Sequence, residues 1–170
     1  MTRMHSRGFS LIELIVVIGI IGILTAVVSV NIAESRAKAR DAQRLTQLEQ
    51  IHLAIEAYKE AYGTYPDTGC SRAATAWTGH GSAYGSCDEY IEGLDVLLDL
   101  PADPSNDEYG FLYKTDATFT DYKVLSYNVL ESVTVNASST YARYPTGCAG
   151  TMTGAQLITY AIASPGAECW

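Results

Sequence analysis

No proline interrupts the first 65 residues of this 170-residue chain, and Glu13 is the only ionisable residue between Leu11 and Val30. The first absence removes the strongest helix breaker and allows one helix from residue 9 to residue 62, ended by Gly63 and Pro66. The second leaves an apolar run of roughly the 20 residues that span a bilayer. Basic residues are scarce: Lys and Arg number 11 against 19 acids, a net charge of −8, and from Asp88 to Asp121 ten acids face Lys114 alone. Such a surface repels phosphate and anionic lipid, so no nucleic-acid partner is expected. Histidine occurs only at His5, His52 and His80. There is no HExxH, no phosphate-binding glycine loop and no Ser-His-Asp order, so the chain is not expected to be an enzyme or to carry a cofactor. None of its four cysteines sits in a CxxC pair, which argues against zinc.

What is present at the N-terminus is more specific. Residues 7 to 13 read Arg-Gly-Phe-Ser-Leu-Ile-Glu. A carboxylate at the depth of Glu13 costs on the order of 3 kcal/mol in lipid, so Glu13 calls for a partner that a passive anchor would not need. An ordinary secretory signal requires a small-x-small cleavage site after a shorter core, whereas the apolar run here continues from Leu11 to Val30 and into a basic helical stretch from Arg36. Arg3 and Arg7 precede the apolar run, which orients the N-terminus inside and the rest of the chain outside.

This stretch resembles the leader and first helix of type IV pilins and of the pseudopilins of type II secretion. The resemblance implies cleavage by a prepilin peptidase after Gly8, methylation of the new N-terminal Phe9, and a role for Glu13, the fifth mature residue, in subunit docking. The amine of Phe9 and the carboxylate of Glu13 would be four residues, about 6 Å, apart along one helix. When the amine belongs to a neighbouring subunit, the charge pair sets the register between helices. The other readings are an uncleaved signal anchor or an ordinary signal. Loss of Arg3 and Arg7 with the leader leaves 9 cations against 19 acids, a net charge of −10.

The helix divides into an apolar half, residues 9–33, expected to cross the membrane and polymerise, and an amphipathic half, residues 34–62. In the second half Leu45, Leu48, Ile51, Ile55, Tyr58 and Tyr62 recur in steps of three and four and form the face that meets a globular domain. Many pilins kink the helix with a proline, whereas Val28-Ser29-Val30-Asn31 contains none; Gly19 and Gly22 suit close helix packing instead. Arg36, Lys38, Arg40 and Arg44 form a basic stretch read as a solvated face, with a basic band meeting acidic domains of adjacent subunits as the functional reading.

Residues 63–170 form the exported domain. Asp67 to Cys87 reads as a loop, Asp88 to Leu100 as a short amphipathic helix with Ile91, Leu94, Leu97 and Leu98 inward, and Asn136 to Gly154 as a second loop. Strands are expected at Tyr109–Thr115, Tyr122–Val129, Ser132–Val135 and Gln156–Ala163. The fold class is α+β: a long N-terminal helix packed on a small antiparallel sheet, the architecture pilins share. The run Leu100-Pro101-Ala102-Asp103-Pro104 is similar to a Leu-Pro-x-Asp-Pro pattern of pilins and major pseudopilins. Four cysteines allow three pairings; Cys70 with Cys87 and Cys148 with Cys169 is preferred, each closing a glycine-rich loop. The second pair resembles the disulfide-bounded C-terminal loop of many pilins. Major pseudopilins bind calcium through a late acidic loop, which this chain lacks, since only Glu168 lies beyond Glu131; its nearest candidates are Asp103, Asn106 and Asp107. Asn136-Ala137-Ser138 fits a glycosylation sequon, a match that arises readily by chance.

The resulting expectation is a pilin: a subunit held in the cytoplasmic membrane and then polymerised with its own kind into a surface filament. An assembly ATPase and a platform membrane protein are implied by the resemblance. The alternatives are a pseudopilin of a type II-like secretion system and a membrane-anchored binding module that never polymerises.

Overall fold

The computed structural model describes residues 9–70 and 75–170, the side chains of residues 27–31 excepted. One helix, α1, runs Leu11–Tyr62. The strands β1 (Thr78–Gly79), β2 (Gly110–Thr115), β3 (Tyr122–Tyr127) and β4 (Tyr160–Ala163) follow, with 3₁₀ turns at Ser82–Tyr84 and Gly154–Ile158. The strands form one antiparallel sheet in the order β1-β2-β3-β4. By contact density the chain divides into two compact units between Ala37 and Lys38.

The second unit is built by period-2 strands meeting a period-3.6 helix. Phe111, Tyr113, Tyr122, Val124 and Tyr160 pack with Leu48, Ile51 and Ile55 of α1 in one core, where these three helix residues are fully buried. Register places Tyr113 opposite Val124 and Val124 opposite Ile162, so these side chains share the helix-facing surface. Two of the buried tyrosines pair their hydroxyls with backbone: Tyr113 Oη donates to the Pro66 carbonyl at 2.7 Å and Tyr90 Oη to that of Pro101 at 3.2 Å. Leu112, Leu125 and Ala161 face the other way, under Trp77, Tyr84 and Tyr127. There Arg143 lies 4.8 Å from the Tyr127 ring and Lys114 5.0 Å from the Trp170 ring, cation–π contacts that hold the outer layer together.

Four expectations are corrected. Asp88–Leu100 is a chain of turns rather than a helix, because Tyr90, Ile91 and Glu92 pair with residues 67–69 and the internal bonds amount to single turns at Ile91–Leu94 and Leu94–Leu98. Gly69 N–H donates to the Tyr90 carbonyl, Glu92 N–H to that of Asp67, and Thr68 bridges Ile91. Gly93 at φ +73° lies beside the Tyr58 ring in a conformation no helix interior contains. Ile91 and Leu94 are buried as the pattern requires, while Leu97 is 52% exposed. Residues 132–135 form no strand; the Val135 N–H makes a lone bond to the Leu157 carbonyl. The last strand starts at Tyr160 rather than Gln156, since Gly154–Ile158 is a 3₁₀ turn whose Ile158 carbonyl accepts from Val129 and Leu130. Tyr62, assigned to the inward stripe, is 66% exposed and stacks on Tyr58 instead.

Strand β1 lies within the segment read as a loop. It fits against β2 because Gly79 has no side chain: a Cβ there would stand 2.6 Å from the Phe111 carbonyl oxygen.

Candidate functional site

The first unit presents an apolar helix with no protein cover. Phe9, Leu11, Ile12, Leu14, Ile18 and Ile23 are between 59 and 85% exposed, and every residue from Leu11 to Ala26 is exposed. A surface of this kind marks a site that another apolar body must cover. Gly19 and Gly22 have open space where a side chain would be. The Thr25 hydroxyl donates to the Ile21 carbonyl at 2.7 Å, which satisfies it without water. Among the described residues no helix is long and apolar enough to cross a membrane; the side chains of residues 27–31, where the expected span ends, lie outside them. Gly8, the expected cleavage point, and the basic leader also lie outside the described residues.

Glu13 is placed by a local device that the sequence carried in plain form. Ser10 precedes the first helical residue and Glu13 is three positions on, the spacing of a capping box. Glu13 Oε2 accepts from the Ser10 N–H at 3.5 Å. In the isolated chain the carboxylate therefore sits beside the helix N-terminus, where the backbone dipole favours negative charge. Ser10-x-x-Glu13 is the sequence signature of that cap.

In the second unit α1 is clamped by a buried ion-pair network. Arg44 is fully buried. Its Nε donates to Asp103 Oδ2 at 2.7 Å and its Nη2 to Asp103 Oδ1 at 2.9 Å, a two-pronged pair. Nη1 reaches Asp41 at 2.9 Å and Glu131 at 3.0 Å, and Nη2 also donates to Ser105 Oγ at 2.6 Å. Asp41 accepts from the backbone N–H groups of Glu131 and Ser132 and from the Ser132 hydroxyl. Arg40 closes the cluster on Glu131. Burial alone would lower the Arg44 pKa, but Asp103, Glu131 and Asp41 together raise it above its ordinary value. The hydrogen bond from Arg40, against some burial and with help from Arg44, holds Glu131 down to about 2. Burial pushes Asp41 up, yet the Ser132 and Glu131 donors and Arg44 outweigh it and leave the pKa lowered.

This network corrects the reading of the basic stretch as a solvated face. Arg36 and Lys38 are exposed, Arg40 is half-buried and Arg44 is core. It also removes Asp103 from the candidate calcium ligands: both its oxygens bind Arg44, and Asn106 Oδ1 accepts from the N–H groups of Glu108 and Tyr109. Among the described residues no group of three His, Cys, Asp or Glu side chains could hold a metal ion.

The disulfides join Cys70 to Cys87 and Cys148 to Cys169, with Cα atoms 6.1 and 5.2 Å apart. The segment around the second is tied to the sheet by Lys123, a residue no sequence signal singled out. Its buried Nζ donates to the backbone carbonyls of Arg143, Glu168 and Trp170 at 2.5, 2.6 and 3.2 Å. Burial, with Arg143 nearby, draws its pKa down to about 8. His52 bonds through Nδ1 to the Tyr122 hydroxyl, which donates to Glu56 at 3.0 Å, and His80 contacts Asp88 at 3.0 Å. A cleft of about 460 Å³ opens between α1, β4 and residues 140–145, with Glu49, His52, Leu53 and Glu168 among its walls.

These features agree with the comparisons to known proteins. The family described as the prokaryotic N-terminal methylation motif matches residues 3–29. The chain is 32% identical to type II secretion system core protein G of Klebsiella pneumoniae over 64% of its own length and 75% of that protein. It is 31% identical to core protein G of Vibrio cholerae serotype O1, covering 68% of this chain and 77% of the relative. To the type IV major pilin protein PilA of Myxococcus xanthus it is 34% identical over 37% of this chain and 29% of that one. None of these relatives is named for an enzymatic activity, and no solved structure matches at comparable significance. With its exposed apolar helix, its methylation motif and its α+β domain, the chain belongs to the family of type IV pilins and type II secretion pseudopilins.

Proposed function

We propose that this chain is the structural, non-catalytic subunit of a type IV pilus-like filament. It enters the cytoplasmic membrane through residues 9–33 with its N-terminus inside. A prepilin peptidase cuts between Gly8 and Phe9, Phe9 is methylated, and subunits polymerise through the apolar helix with their disulfide-bearing domains outward. The observation that carries this reading is the uncovered apolar surface from Phe9 to Ala26 with Glu13 as its one charge, inside residues that match the methylation-motif family. In the membrane the helix satisfies its own backbone. On assembly lipid contacts give way to helix contacts, and Glu13 exchanges its cap for the amine of a neighbour. An assembly ATPase and a platform membrane protein would drive the process.

A second reading, the pseudopilin of a type II-like secretion system, is favoured by one observation. The matches to core protein G run over 108 and 119 residues, more than the 52 residues of α1, so they extend into the C-terminal unit. Mass spectrometry and electron microscopy of material sheared from cells separate the two. Methylated Phe9 in thin surface fibres, with a mass four hydrogens below the reduced chain, supports the pilin. Processed Phe9 confined to the envelope supports the pseudopilin, and an intact leader on all copies rejects both.

A further inference from the structure

The geometry points to the cleft beside β4 as a socket for Arg36 of a second copy of this chain, an inference that rests on the filament reading above. Most cations of the described chain already have partners. Arg40 and Arg44 bind Glu131, Asp103 and Asp41. Lys59 lies over Tyr65, Lys114 over Trp77 and Trp170, and Arg143 over Tyr127. Lys123 is held by three carbonyls, and Lys38 has an interaction of its own. Arg36 is the exception: it is exposed and has no partner among the described residues.

The cleft has the complementary defect. Glu49 and Glu168 line it together with Lys123, whose Nζ is committed to three carbonyls; neither acid is in an ion pair among the described residues, and the Glu49 carboxylate accepts only the neutral Tyr141 hydroxyl, at 2.6 Å. The Tyr122 hydroxyl donates to Glu56, so it accepts from His52 Nδ1–H, which leaves Nε2 as the ring atom available to an occupant. Leu53 is 66% exposed at this wall, and Ile162 and Pro145 complete an apolar surround. The volume of about 460 Å³ falls in the range of roughly 300–1,000 Å³ typical of occupied pockets. An arginine suits this mixture of walls, since its methylene stem covers apolar surface while the guanidinium reaches carboxylates.

Helix arithmetic identifies which neighbour supplies it. Placing Arg36 beside Glu49 to Leu53 of a parallel copy needs an offset of 13 to 17 residues, about 20–26 Å. Pairing the Phe9 amine with a neighbour's Glu13 needs an offset of four residues, about 6 Å. The two contacts therefore engage different neighbours, and the socket ties together subunits that the N-terminal pair does not.

The test uses the full chain with its assembly machinery. A benzophenone amino acid at position 53 is photo-activated in assembled fibres and the adduct mapped by mass spectrometry. In parallel, fibre yield is measured for Arg36→Glu, Glu49→Arg and the double variant. An adduct within residues 32–40 of another copy is expected. Each single reversal should lower the yield about tenfold, the effect of some 1.4 kcal/mol, and the double variant should recover most of it. Adducts elsewhere in well-formed fibres, single reversals that assemble like wild type, or a double no better than its parents would overturn the socket and leave the filament reading standing. Wild-type chain that is processed but forms no fibre would remove both.

Discussion

Replacing Arg44 by methionine tests the clamp between α1 and the rest of the second unit. The substitution keeps an unbranched side chain in a fully buried position and removes five hydrogen bonds at 2.6 to 3.0 Å. Its main cost lies in what stays behind. The Asp103 side chain is completely buried and that of Asp41 is 2% exposed. Asp41 retains the backbone donors of Glu131 and Ser132, whereas among the described residues Asp103 keeps only the Ser105 backbone N–H and hydroxyl. Removing one member of a buried pair costs about 3–5 kcal/mol, against a total of about 5–15 kcal/mol for a domain. For a unit of this size that is a fall in Tm of roughly 10–20 °C. Thermal unfolding of the detergent-solubilised chain, followed by near-UV circular dichroism, provides the assay. The double variant Arg44→Met, Asp103→Leu removes the stranded carboxylate and should recover at least half the loss, because apolar replacement of a whole buried pair is often neutral. A single variant within about 1 kcal/mol of wild type would refute the reasoning, since it would mean that water reaches Asp103.

Acid should loosen the same clamp: Glu131 is held down to about 2 and Asp41 is lowered. Depressed carboxylates contribute in full above their unfolded pKa values of about 4 and lose that contribution as pH falls through the folded values. Tm should thus drop between about pH 4.5 and 2, and by less in Glu131→Gln; equal slopes in both proteins would rule out Glu131 as the titrating group. Lys123→Met should cost about 1–3 kcal/mol by removing the donor that three part-buried carbonyls share, and limited proteolysis should then cut first around Cys148 to Cys169, with uncut loops at wild-type protease levels counting against the tether. Glu13→Leu should leave membrane insertion intact and lower fibre yield at least about tenfold; fibres at wild-type yield would assign Glu13 to helix capping alone.

How far the sequence could be read depended on how local each cause was. The helix Leu11–Tyr62 was legible because absent proline and an apolar periodicity act within a few residues of themselves. Strands β2 and β3 were legible for the same reason, as short runs rich in aromatic and β-branched residues. Asp88–Leu100 was misread because its leucine spacing suited a helix, while the backbone of its first half pairs with residues 67–69 and only short turns remain beyond. Strand β1 carries no alternation in its two residues and exists only because Gly79 admits the β2 backbone. The candidate site divides in the same way. Phe9 and Glu13 stood out as departures from their immediate surroundings, whereas Arg44 and Lys123 look like ordinary surface cations until residues 59 or more positions away from Arg44, and 20 or more from Lys123, close around them.

By itself the sequence determined that an apolar helix with one acid leads the chain, that a small, disulfide-bearing acidic domain follows, and which family this combination resembles. Those properties follow from composition and short-range pattern, which the chain carries into any fold. Only the tertiary structure decided which of the described basic residues are buried and which stays unpartnered among them, that the Asp of Leu-Pro-x-Asp-Pro is an anchor for α1, and which face of the second unit holds a cleft. Burial and pairing of charge depend on the distance between remote segments, and that distance does not exist until the helix, sheet and loops have packed.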